Sequence, residues 1–130
     1  TNGKFYCEYI MGVSSASYYQ VGVFGNATTW NPRLQYRSDG NCWIDGTQQS
    51  ATFASYTDGD VIGVAFDAGA GNLTFYKNGV SQGTAFTGIT AGTYSFAFGN
   101  GTSSGSFNFG QRPFTYTPPS GYVALNTYNM

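Results

Sequence analysis

Residues 58–79 read DGDVIGVAFDAGAGNLTFYKNG, and this stretch decides the fold. Asp58-Gly59-Asp60 is a turn signal. Val61 to Phe66 then alternates so that Ile62, Val64 and Phe66 share one face, the period-two pattern of a half-buried strand. Asp67-Ala68-Gly69-Ala70-Gly71-Asn72 is a loop, after which Leu73 and Phe75 point one way and Thr74 and Tyr76 the other. Asn78-Gly79 is the strongest short hairpin signal a sequence carries, because both central residues of a type I′ turn need positive φ. Val80 to Phe86 returns as the partner strand.

The same reading extends in both directions. Upstream, Lys4 to Ile10 is rich in aromatic and β-branched residues and stops at Gly12. Tyr19 to Val23 is a second run, closed by Phe24-Gly25-Asn26. Leu34 to Arg37 alternates before the turn Ser38-Asp39-Gly40-Asn41, and Cys42-Trp43-Ile44 leads into the hairpin pair Asp45-Gly46. Trp43 is assigned to the core. Downstream, Tyr94, Phe96 and Phe98 share a face, as do Phe107 and Phe109, with a Gly-rich loop over 99–105. Short strands punctuated by turns, with no helical period, predict an all-β sandwich or barrel. Pro113, Pro118 and Pro119 exclude a central strand near the end. Residues 113–130 are therefore expected to form an extended strap over a core made by residues 1–112, anchored by Phe114, Tyr116 and Tyr122.

The chain has 130 residues, the length of one domain. Charged residues are only 8% and aromatics 18%, which excludes a disordered chain. Five cations against six anions leave a net charge of −1, so there is no basic footprint for nucleic acid or anionic lipid. No apolar run approaches the roughly 20 residues that span a bilayer. The sequence has no His, which removes imidazole catalysis and His-ligated metals. Cys7 and Cys42 are too few for a disulfide scaffold or a structural zinc site. They read as buried free thiols, with one bridge as the alternative in an oxidising environment.

Catalytic chemistry finds little to work with. Asp58 and Asp60 are the only close carboxylate pair, but a turn favours Asp for its bonds to nearby backbone amides. Glu8 and Asp67 read as solvent-facing or turn residues. Asp39, Asn41 and Asp45 offer oxygen atoms but match no calcium-loop spacing. Without His, nothing activates a Ser or Cys nucleophile. No catalytic residue, metal or cofactor is expected. Binding is better supported, since recognition surfaces favour rigid amphipathic aromatics with small polar neighbours. Tyr18, Tyr19 and Trp30 flank the 14–17 and 26–32 loops, Arg37 lies beside a turn, and Asn100 sits in the Gly-rich loop.

These motifs resemble the SPRY domain family. Gly3-Lys4-Phe5-Tyr6-Cys7-Glu8 is similar to its opening GKWYWE strand, and residues 58–79 to its GDVIGVxxD…LxFxKNG signature. Tyr19 to Val23 resembles its WxVGV strand, and Leu34 to Gly46 its LG…SWGYDG segment. Phe5 and Tyr19 stand where Trp is frequent. The resemblance covers residues 3–112. Residues 108–114 and 117–122 further resemble the ending of SPRY domains in bacteriophage and metagenomic virion proteins.

The resemblance implies a bent, concanavalin-like sandwich of two antiparallel sheets whose loops at one end bind a partner without catalysis. Asn100 falls in a loop matching one of the family's binding loops. The family carries a further strand ahead of its GKWYWE motif. Upstream chain or a neighbouring subunit is therefore expected to supply a missing first strand, making the module oligomeric or part of a longer chain. The leading expectation is a non-catalytic module of a phage virion, in a tail fibre, baseplate or capsid decoration, binding host-surface glycan or another virion protein. The alternative is an intracellular adaptor that recognises a short peptide, and the third a glycan-active enzyme.

Overall fold

A computed structural model describes residues 3–12, 20–25, 33–90, 94–99 and 105–125. Among these residues, eleven strands form two sheets: β1 Lys4–Met11, β2 Gln20–Gly25, β3 Arg33–Arg37, β4 Asn41–Ile44, β5 Thr47–Thr52, β6 Val61–Asp67, β7 Asn72–Lys77, β8 Val80–Phe86, β9 Tyr94–Gly99, β10 Gly105–Asn108 and β11 Val123–Ala124. Sheet A runs β10-β1-β6-β7-β8 with β11 beside β1, and sheet B runs β5-β4-β3-β2-β9. All pairings are antiparallel except the short parallel contact of β11 with β1. The two-sheet sandwich expected from the alternation is the observed architecture.

The faces follow the period-two rule. Cys7, Tyr9 and Met11 of β1, Ile62, Val64 and Phe66 of β6, and Leu73 and Phe75 of β7 point into the sandwich. Val21, Val23, Leu34, Tyr36 and Cys42 of sheet B meet them. Both expected hairpins are present, with φ of 49° and 84° at Asp45-Gly46, and 49° and 83° at Asn78-Gly79. Cys7 and Cys42 are free and buried, one on each sheet. Burial pushes the Cys42 thiol up to about 11 and the Cys7 thiol well above its ordinary value, so neither is a ready nucleophile.

A segment unassigned from sequence completes the core. After β5 the chain crosses from sheet B to sheet A through residues 53–60, and Tyr56 is buried on the way. Its hydroxyl donates to the Tyr36 carbonyl at 2.8 Å, while the Tyr36 hydroxyl donates to the Ala54 carbonyl. Phe53, Tyr56 and Phe75 surround the Tyr36 ring at centroid distances of 5.4, 4.8 and 5.1 Å. Aromatic packing thus fastens the crossover without regular structure.

Three expectations change. β1 is not an open edge: β10 pairs with Glu8–Met11 and β11 with Phe5 and Tyr6. Trp43 is not in the core, because Cys42 and Ile44 on either side take the inward positions. Glu8 is not solvent-facing but fully buried. It lies on the outer face of sheet A, beneath the C-terminal segment. Its Oε1 accepts the Thr115 amide and its Oε2 the Tyr116 amide, both at 2.8 Å.

Candidate functional site

Asp39, Asp45, Asp60 and Asp67 are engaged in local structure. Asp60 accepts the Thr57 amide at 2.8 Å and the Asn78 side-chain amide at 2.9 Å, joining the turn before β6 to the β7–β8 hairpin. Desolvation opposes its charge, but the bonds from Asn78 and Thr57 and nearby Lys77 outweigh it and hold its carboxyl below the ordinary value. Asp67 accepts the Ala70 amide, Asp45 the Arg33 amide and Asp39 the Asn41 amide. Asp39 and Asp45 flank opposite ends of β4, so they do not converge with Asn41 on a common ion. Among the described residues, no group of three or more Cys, Asp or Glu side chains is placed to hold a metal.

The outer face of sheet B is built differently. Because Leu34 and Tyr36 point inward, Arg33, Gln35 and Arg37 point outward, and two of the chain's five cations share this face. Register sets the row around Gln35: Ala97 of β9 pairs with Gly22, Gly22 with Gln35, Gln35 with Trp43, and Trp43 with Gln48. Gly22 is required there, since a Cβ would lie 1.8 Å from the Leu34 carbonyl oxygen. Its missing side chain leaves a low floor beside Gln35, with the Trp43 ring raised on the other side.

Arg37 closes this hollow. Its guanidinium carbon lies 3.9 Å from the centre of the Trp43 ring, a close cation–π stack. Gln35 beside it is only 5% exposed. The shielded Trp43 Nε1 lacks a partner among the described residues. A buried indole N–H left unbonded costs about 1–3 kcal/mol.

The sequence-predicted site residues divide accordingly. Arg37 belongs to the hollow. Tyr18, Tyr19, Trp30 and Asn100 lie outside the described residues. The strand ends Gln20, Arg37 and Gly99 meet at one end of sheet B, since Gln20 pairs with both of the others. Gly25 and Arg33, which bound residues 26–32, lie at the opposite end. Gln35 and Trp43, which lie beside Arg37 on this face, were not singled out from sequence. The signal was available, for the period that buries Leu34, Tyr36 and Cys42 turns Gln35, Arg37 and Trp43 outward.

Comparison with known proteins now fixes the family. A model of the SPRY domain matches residues 8–112. The chain belongs to the SPRY domain family. The E3 ubiquitin-protein ligase RKP of Arabidopsis thaliana is 40% identical over 76 residues, which are 55% of this chain and 6% of that protein. The chain therefore spans a small part of that relative's length. The crystal structure of the SPRY domain of human HERC1 superimposes with a TM-score of 0.73 at 23% identity, covering 87% of this chain and 79% of that one. At that identity the likeness establishes the SPRY fold. Both relatives are eukaryotic, and neither supports the virion setting or the glycan ligand expected from the tail motif.

Proposed function

We propose that this SPRY domain is a protein-recognition module that holds a segment of a partner protein on the outer face of sheet B. The observation that carries this reading is the Arg37–Trp43 stack, whose indole Nε1 is shielded without a partner among the described residues. A peptide offers what the hollow lacks. Its carbonyls accept from the Gln35 amide and the indole N–H, and its N–H groups donate to the Gln35 oxygen. A desolvated arginine on tryptophan is also the side-chain chemistry that anchors protein interfaces. The relative's description as an E3 ubiquitin-protein ligase supports a setting inside a larger protein, where such a module would choose the partner. No side chain in the hollow is asked to do chemistry.

The test is selection from a random twelve-residue peptide display library against the immobilised domain. Enriched peptides should lose at least tenfold in affinity for Arg37→Ala and for Gln35→Ala, while both variants keep their melting temperature within a few degrees. A glycan array that responds while the library enriches nothing would replace this reading with sugar recognition. Equal affinity for both variants would move the site elsewhere.

A further inference from the structure

We propose a second docking site, separate from the Arg37 hollow: the free edge of β5 with the cavity beside it, which takes an extended, uncharged peptide segment carrying one aliphatic or aromatic side chain. β5 pairs with β4 on one side and with no described strand on the other, so one row of its backbone N–H and C=O groups is available. Proteins usually blunt such an edge with charge, proline or a bulge. The TQQSAT sequence of β5 has neither charge nor proline. The pairing of β5 with β4 shifts register once, between Asn41 and Trp43, and that of β8 with β7 shifts twice, so the β5 edge is the less interrupted of the two.

The cavity is on the side of β5 that faces the other sheet. Its volume is about 420 Å³, within the range of side-chain and small-ligand pockets. Leu34, Ile44, Phe86 and Ile89 supply apolar walls, Gln49 of β5 forms a side, and the exposed Thr87 stands at the rim. Within β5, Gln49 and Ala51 are half-buried while Gln48, Ser50 and Thr52 are exposed. A strand added to this edge would therefore turn alternate side chains toward the same gap.

Two features select the occupant. No charged side chain lines the cavity, so a charged group entering it would be desolvated without a partner. The open edge asks for backbone donors and acceptors at strand spacing, which an extended peptide has and a lipid or sugar has not. Strand addition with a pocket for one side chain is an established mode of peptide recognition.

The test titrates isotope-labelled domain with four capped heptapeptides, Thr-Ser-Thr-Φ-Thr-Ser-Thr, where Φ is Val, Leu, Ile or Phe. At least one should give saturable NMR shifts confined to the Thr47–Thr52 amides and the methyls of Leu34, Ile44 and Ile89. Replacing Φ by Asp, or N-methylating alternate peptide residues, should weaken binding at least tenfold. Thr87→Trp should do the same by closing the rim, with an unchanged melt because Thr87 is exposed. The proposal is overturned if none of the four peptides moves these signals at millimolar concentration. Shifts centred on Gln35 and Arg37, or full binding to Thr87→Trp, would also overturn it. A concentration-dependent dimer in sedimentation that shifts the same amides would assign the edge to a second copy instead.

Discussion

The outer faces of the two sheets obey the same alternation and end in opposite states. On sheet A, the chain's own C-terminal segment lies across the face. Glu8 accepts two of its backbone amides, Phe114 packs edge-on against Tyr6 at 5.1 Å, and Lys4 sits 5.9 Å from the Tyr122 ring. Asn108 bonds both the Gly110 amide and the Pro113 carbonyl at the start of the segment. On sheet B, the indole Nε1 of Trp43 is shielded without a partner among the described residues. Buried polar groups are normally satisfied, so the face that the protein completes for itself is structural, and the incomplete face is the one on which the proposed recognition site is placed.

The largest effect should come from breaking the satisfied face. Glu8→Ala strands the amides of Thr115 and Tyr116, and hydrogen bonds to a charged group contribute about 1.5–3 kcal/mol each, so a loss of roughly 3–5 kcal/mol is expected. That corresponds to a fall of about 10–15 °C in a thermal melt for a domain of this size. Limited proteolysis should then cut between Pro113 and Gly121 before the sandwich opens. A melt within 2 °C or so of the parent would mean that the segment does not depend on Glu8.

Phe114→Ala should act in the same direction with less force. The ring is half-buried, and truncating a partly buried aromatic costs about 2 kcal/mol, below the range for fully buried ones. Glu8 and Phe114 hold one segment, so the double variant should lose less than the sum of the single changes. Full additivity in chemical denaturation would show that the two anchors work independently.

Legibility from sequence differed between these faces for a physical reason. Alternation identifies which residues turn inward, so the sandwich, both hairpins and the inward rows of β6 and β7 were readable. It does not say what covers an outward residue. Glu8 reads as solvated because the segment that buries it begins more than a hundred positions later, at Thr115. Tyr56 was missed because it reaches the core from a crossover with no period of its own. Trp43 was drawn into the core by its hydrophobicity, although its inward neighbours Cys42 and Ile44 already required the opposite face. Arg37 was readable as a cation beside a turn, whereas its stack on Trp43 exists only in three dimensions.

On the incomplete face a polar-to-apolar change should have the opposite sign. Gln35→Leu puts an apolar side chain of similar volume at a position only 5% exposed, and that burial is worth about 1 kcal/mol, so the melt should rise by roughly 3 °C. Peptide affinity should fall at the same time, the exchange of function for stability seen where a site is kept imperfect. A destabilised Gln35→Leu would show that the amide already has a structural role, and the contrast between the faces would fail.

Acid should give the smallest effect and sharpen the contrast. The carboxyl of Asp60 is held below its ordinary value of 3.8, so its contribution is present above that value and is lost as pH falls through the lower folded value. Asp60 fastens the β6 turn to the β7–β8 hairpin of sheet A, and no carboxylate belongs to the row around Gln35. Asp60→Asn should therefore lose less on going from pH 6 to pH 3 than the parent does, by about 2 °C in the melt. The gain from Gln35→Leu should be the same at both pH values, since neither side chain titrates there. If that gain disappeared in acid, the hollow would be coupled to a carboxylate, and its unmet bonding could no longer be ascribed to an absent partner.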